Sequence, residues 1–294
     1  MATKTVTIIG AGKAGSTLGK VLHRSGILKV IGVLDSFKDK SWSAANFIAL
    51  KGETITTDTF LCSDVVMITT PDDQIEKCAQ SLAEKKLVGP GTIVFHCSGY
   101  HSSSVLSSLK ARGCLVASVH PVKSFADPAV ASSTFSKTPC GGEGDSGALD
   151  LLKQAFEGAG GIFFEIDTES KKMYHAAAVL LCGGVVALLK AGSDLLCSSG
   201  LSSDQAKMLL NALTPETLNN ALNHGFSAAL TGPVARGDSA TIRGELSELK
   251  KKSALYYDIY KALSGVSLEM VAKEAQIDPT AINEMRHLIF NDNE

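Results

Sequence analysis

The first fifteen residues constrain this chain more than any other stretch. "TVTIIG" (5–10) is an apolar, β-branched run, and it passes at once into "AGKAGSTL". Gly10, Gly12 and Gly15 therefore fall in GxGxxG spacing between a strand pattern and a helix pattern. The first glycine permits the tight turn, the second lets a pyrophosphate approach the backbone, and the third lets helix pack on strand. Main-chain N–H groups at the helix start, here around Lys13 and Ala14, then face the phosphates. A glycine turn alone is a weak signal. Here Asp35 also ends the second apolar run, 20 residues after Gly15, which is the context a dinucleotide site requires. Asp35 suits an adenosine ribose 2′-hydroxyl and so NAD, whereas Ser36 and Lys38 suit a 2′-phosphate and so NADP. The expected cofactor is NADP or NAD, the choice left open.

The runs that follow repeat the same grammar. "KVIGVLD" (29–35), "DVVMITT" (64–70), "GTIVFHCSG" (91–99), "CLVASVHP" (114–121) and "GIFFEID" (161–167) are apolar with little alternation, as strands buried on both faces are. Helical patterns lie between several of them, so the expected fold is α/β, a doubly wound and mainly parallel Rossmann sheet. The stretch 132–147 reads as a surface loop with at most one short strand. After Asp167 only helical patterns remain, so an all-α domain is expected from 168 to 294, behind a dinucleotide-binding domain over 1–167. One long helix is expected from 168 to about 199. A shorter one, "SSDQAKMLLNAL", follows, then a helix capped at Thr214-Pro215-Glu216, and another from about Ser239 to Leu263.

Composition removes several function classes. With 28 Lys+Arg against 30 Asp+Glu, the net charge of −2 lacks the basic excess of a nucleic-acid binder. The seven cysteines are odd in number and form no CxxC pair, so reduced buried thiols are expected, with no metal site. The most apolar run, 176–189, is too short to span a bilayer and reads as a buried helix. Localisation is expected to be cytoplasmic.

Ligands of open α/β sheets bind outside the carboxyl ends of the strands. Thr70 and Pro71 would flank the cofactor there, and Ser98 and His120 would face the nicotinamide. A hydride reaction at a carbonyl also needs a donor for the alkoxide, a proton and a means of orienting substrate. In "KKMYHAAAV" (171–179), Lys172 and His175 share a helix face, as do Lys171 and His175. Spacing alone equally fits a solvated helix start. Farther on, Gly183-Gly184 inside a helix implies close approach of another backbone or a ligand. In "LTGPVARGD" (230–238), Gly232 and Pro233 end one helix and Asp238 can cap the next. Arg236 is not required by such a corner. It suits bidentate capture of a carboxylate, or a solvated surface.

At these motifs the chain resembles a family of Rossmann-like oxidoreductases with a helical C-terminal domain of unknown function. The likeness runs through "IIGAGKAGSTL", "HCSGYHSSSVLSSLKARG", "SVHPVKSFADP", "KKMYHAAAV" and "ALTGPVARGDSATI". That family is similar to ketopantoate reductase, pyrroline-5-carboxylate reductase and the β-hydroxyacid dehydrogenases. The resemblance implies a nicotinamide-dependent reductase whose helical domain dimerises, with Lys172 and His175 as the catalytic pair. It implies substrate contacts from Ser98, His120 and Ser124 on one side, and from Thr231, Arg236 and Asp238 at the corner. Family members often carry an Asn near position 183, where this chain has Gly183 and no side chain to hydrogen-bond. The expected function is NAD(P)H-dependent reduction of a small 2-oxo acid, with ketopantoate the leading candidate on the resemblance. The alternatives are a prephenate- or hydroxyacid-type dehydrogenase, or a non-catalytic dinucleotide-binding regulator. The expected partners are a small carboxylate substrate and a second copy of the chain, with neither nucleic acid nor membrane.

Overall fold

In the computed structural model, residues 3–50, 57–273 and 277–291 are described. Seven strands form one sheet: Lys4–Ile9 (β1), Leu28–Leu34 (β2), Val65–Ile68 (β3), Ile93–His96 (β4), Leu115–Pro121 (β5), Pro139–Gly144 (β6) and Ile162–Glu165 (β7). Their order is β2-β1-β3-β4-β5-β6-β7. The first five are parallel, β6 runs antiparallel to β5, and β7 is parallel to β6. Every residue of β3 and β4 is buried, which explains their unbroken apolar sequence. One face packs Leu18, Leu22, Phe95 and Phe156, and the other packs Ile68, Ile75, Leu106 and Leu109. The chain leaves β1 toward β2 on one side and returns to β3 on the other. The crevice above β1 and β3 is thus the point where strand order reverses, the place such sheets bind ligands.

The glycine turn is built as its spacing requires. Gly10 has φ +104, and a Cβ there would sit 2.7 Å from the Thr69 carbonyl group. A Cβ on Gly15 would lie 2.0 Å from the Gly10 carbonyl oxygen. The helix Lys13–Arg24 is seated this closely on β1 because position 15 has no side chain.

Several expectations need correction. Segment 132–147 does contain the one short strand allowed for it, β6, but not as a surface element: Cys140–Glu143 are buried, and Gly141 and Gly142 admit large neighbouring rings. Its glycines and short side chains hide it from any apolar count. The residues expected to form two helices around Pro215 form one, Ser203–His224, with Pro215 inside it. The helix expected over 239–263 is two, Ser239–Lys252 and Ala254–Ala272, parted where Ser253 is extended and caps the second. Not all the thiols are buried: Cys62, Cys182 and Cys197 are exposed.

The largest correction concerns the apolar helix, which runs Lys171–Ser198 and includes a π-helical turn at Leu180–Gly184. It is not buried by its own chain. Its most apolar window has a mean hydropathy of 1.9 yet is only 6% buried, and by length and composition it could cross a membrane. Apolar sequence reports surface that avoids water, not which molecule supplies the cover. A Cβ on Gly183 would meet nothing within 4 Å, so the expected close approach there is not made by the described residues.

The chain divides into two compact units, Met1–Leu181 and Cys182–Glu294. The first turns of the apolar helix pack on the sheet, Lys171 being buried and Tyr174 lying against Phe164. They therefore belong with the Rossmann-like unit. The second unit is all helical, with its own core of Val234, Ile242, Leu246, Leu268, Met285 and Ile289.

The glycine contacts predict opposite outcomes for two alanine substitutions. Gly15→Ala overpacks the turn and should cost about 1–3 kcal/mol, read as a lower urea midpoint. Gly12→Ala, whose Cβ meets nothing within 4 Å, should leave that midpoint near the wild-type value.

Candidate functional site

Above β1 and β3 lies a cavity of about 890 Å³. Gly10, Gly12, Lys13, Asp35, Thr70 and Pro71 line it, all of them predicted cofactor contacts, as do Ala14 and Ser36. The helix Lys13–Arg24 has no acidic residue in its first turn and no side-chain cap, which leaves its N–H groups to the cavity. Two further observations fit a dinucleotide. Gly12 offers open space at the mouth, and the Thr70 hydroxyl is buried without a hydrogen-bond partner. The residues present thus suit a phosphate-bearing cofactor.

Next to this cavity, a hydrogen-bonded turn leads to a cluster of rings. Asp72 follows Pro71 and accepts from the Ser98 hydroxyl at 2.8 Å. Ser98 in turn accepts from the main-chain N–H groups of Tyr100 and His101. Its hydroxyl therefore builds the turn after β4. Gly99 sits within that turn, and a Cβ on it would strike both His120 and His175 at under 3 Å. The ring of His120 lies 6.2 Å from that of His175, and Tyr100 lies 5.9 Å from His175. Tyr174 places its hydroxyl 3.3 Å from His120 Nδ1. Burial, followed by the Lys171 and His175 charges, pushes the His120 ring down to about 4, so it is neutral at neutral pH.

The two lysines of the predicted motif separate sharply. Lys171 is only 1% exposed; its ammonium donates to Ser118 Oγ at 2.5 Å and lies 3.5 Å from Glu143, itself 1% exposed. Glu143 also accepts from the Ser103 main chain and hydroxyl and from Thr168. Burial holds the Lys171 ammonium below its ordinary value, against the pull of Glu143. Lys172 is exposed, with its ammonium 5.6 Å from the centre of the Tyr100 ring that His175 also touches. Lys172 and His175 thus meet at one aromatic side chain, while Lys171 is sealed in a buried pair.

The remaining predicted residues are placed as follows. Ser124 is exposed in the loop after β5. Thr231, Arg236 and Asp238 belong to the second unit, where Thr231 and Arg236 are exposed. Asp238 caps the helix Ser239–Lys252, accepting from the Thr241 main chain at 3.0 Å and its hydroxyl at 2.7 Å. Sequence reasoning missed Tyr174, Asp72 and Glu143. Tyr174 lies inside the quoted motif and could have been found there. Glu143 is surrounded by glycines and gave no signal.

Residues 1–121 match the model of a Rossmann-like domain, and residues 138–266 match a domain of unknown function, DUF2520. It is 23% identical over 268 residues to ketol-acid reductoisomerase (NADP(+)) of Methanosphaera stadtmanae, covering 84% of this chain and 79% of that one. Among solved structures, a protein of Thermotoga maritima is 26% identical and superposes with a TM-score of 0.71, covering 92% of this chain and 100% of its own. A pyrroline-5-carboxylate reductase of Coxiella burnetii shares the fold at 16% identity and TM-score 0.59, covering 91% and 98%.

Buried neutral histidines carry a prediction about pH. His96, pushed down to about 3 mainly by burial, and His120 bind protons less readily folded than unfolded. Their stabilising contribution is complete above the ordinary value of 6.5 and is lost as pH falls toward their folded values. The urea midpoint should drop between about pH 7 and about pH 5, before carboxylates titrate. His120→Gln should flatten part of that slope, and an unchanged midpoint across the window would contradict the assignment.

Proposed function

We propose that this chain is a nicotinamide-dependent reductase of a small 2-oxo acid, with ketopantoate the leading candidate. One observation supports this reading above others: the glycine-lined cavity adjoins, through Pro71, Asp72 and the Ser98 turn, the cluster of His120, Tyr174 and His175. When bound, the cofactor would supply hydride to the carbonyl carbon. The chain must then meet the electron pair left on oxygen with positive charge and a proton. Lys172, on a flexible exposed stem beside Tyr100, is assigned the alkoxide. His175, half-buried between Tyr100 and His120, is assigned delivery or orientation of the proton. His120 is held neutral, so it orients through Tyr174 and does not act as a cationic acid. Arg236 is assigned the substrate carboxylate on its chemistry alone, a planar exposed guanidinium.

The exposed apolar faces fit a second copy better than lipid. The long helix presents Leu180, Leu181, Val186 and Leu188 to the outside, and the helix Ser203–His224 presents Met208, Leu213 and Leu222. The same apolar helix carries Lys190 and Asp194 paired at 2.6 Å, and Tyr256 donates to Asp194. Charges on a spanning helix are costly in hydrocarbon. A soluble cytoplasmic homodimer follows as part of the proposal.

Four measurements test this reading. A panel of 2-oxo acids should show oxidation of reduced nicotinamide with at least one member. Dinucleotide binding without turnover on any member would favour a non-catalytic role. Lys172→Ala should lower turnover on the order of 10²-fold with folding intact. Lys171→Met should instead cost stability, about 3–5 kcal/mol, because it strands the buried Glu143 charge. Sedimentation at micromolar concentration should give a dimer mass, and a monomer would remove the assembly.

A further inference from the structure

A smaller cavity, of about 340 Å³, shares the Tyr100 ring with the cluster of His120, Tyr174 and His175. All its lining residues belong to the first unit. The Tyr100 ring lies 5.9 Å from that of His175 and 5.1 Å from that of His101, which is in the cavity wall. Lys172, to which the alkoxide is assigned, lines the cavity as well. A substrate whose carbonyl meets Lys172 therefore has the rest of its chain within reach of this space. A water's share of the liquid is about 30 Å³, so the space equals about ten waters and admits a chain of about three or four carbons with its substituents.

One buried carboxylate fixes two walls of this cavity. Glu143 accepts from the Ser103 main chain and hydroxyl, each at 2.8 Å, and from the Thr168 hydroxyl at 3.0 Å. His96 Nε2 lies 3.1 Å from the Ser102 carbonyl oxygen and ties down the same loop. Walls held this way lose little freedom when a ligand enters. Ser103 is spent on these bonds. Its neighbours Ser102 and Ser104 line the cavity with their hydroxyl oxygens 2.7 Å apart. That bond uses one of their two hydrogens, and the other hydrogen and the remaining lone pairs are left for a ligand.

The chemistry of the walls selects among three kinds of chain. Val105 is the one aliphatic side chain among the lining residues. An apolar chain would displace water from the hydroxyls, from Glu169 and from His101 without replacing its hydrogen bonds. A phosphate-bearing chain would meet the Glu169 carboxylate as well as Lys172, and like charges repel. The Lys171 ammonium gives such an anion no help, being sealed against Ser118 and Glu143. A hydroxyl both donates and accepts, so it matches the serine pair, the Glu169 carboxylate and an imidazole nitrogen equally.

We infer that this cavity is the subsite for the substrate's chain, and that it takes a neutral chain bearing hydroxyls. The inference rests on the reductase reading and narrows its substrate class, from small 2-oxo acids to hydroxylated ones.

The test is equilibrium binding to the full chain, read by calorimetry with acids that have no carbonyl to reduce. Erythronate, with four carbons and three hydroxyls, should bind about tenfold tighter than butyrate, the scale of two exchanged hydrogen bonds. The double variant Ser102→Ala, Ser104→Ala should erase most of that ratio. Should it fail to fold, Glu169→Gln, on an exposed side chain, reads the same site through a weaker affinity for erythronate. Equal binding of the two acids, or a ratio unmoved by these substitutions, would overturn the subsite while leaving the reductase reading in place. Phosphoglycolate binding tighter than erythronate, with the advantage lost in Lys172→Ala, would overturn it in favour of an anion site. Failure of every 2-oxo acid to turn over would sink the reductase reading and leave the binding ratio standing.

Discussion

The contact between Gly15 and the Gly10 carbonyl is the point on which the first unit turns. The helix Lys13–Arg24 can rest on β1 only because no Cβ intervenes there, and Thr69 donates its hydroxyl to the same carbonyl from the end of β3. That single close approach fixes the helix start, the first loop and the third-strand loop relative to one another. The cavity wall at Thr70 and Pro71 follows from it, and Asp72 carries the constraint onward to the turn after β4. The ring cluster is thus tied to the glycine turn through the carboxyl edge of the sheet, by hydrogen bonds and adjacent residues rather than by a flexible loop.

A second constraint lies beneath that edge. The Lys171–Glu143 pair joins the start of the long helix to β6, while Ser103 and Thr168 bring two loops to the same carboxylate. Taking both charges out of water is expensive, so such a pair is weak support for net stability. Its effect is on geometry and potential. It fixes the first turn of the helix, and with it Tyr174 and His175. Its ammonium also helps to hold His120 neutral. Lys171 thereby shapes the site while itself shut away from solvent.

The fold was legible where side chains announce themselves. Unbroken apolar runs marked β1 to β5, because strands covered on both faces need them. The glycine spacing marked the turn, and the cap at Asp238 was readable from the corner it closes. Strand β6 was not legible, because glycines fill it to make room for Phe163 and Tyr174, and a residue chosen for what it leaves empty carries no hydrophobic signature. The choice between Lys171 and Lys172 was equally hidden. Adjacent helix positions differ by about 100° in direction, and periodicity among alanines does not say which of them faces the sheet. The apolar helix failed as a buried element because sequence measures aversion to water and is silent about the identity of the cover.

The π-helical turn at Leu180–Gly184 alters how the long helix should be read along its length. A π turn accommodates one residue more than an α turn, so a heptad or 3.6-residue ruler laid from Lys171 loses its phase at that turn. A one-residue deletion within 180–184 removes the residue that the π turn absorbs and lets the segment wind as uninterrupted α-helix. Apolar periodicity therefore has to be counted separately on the two sides of that turn.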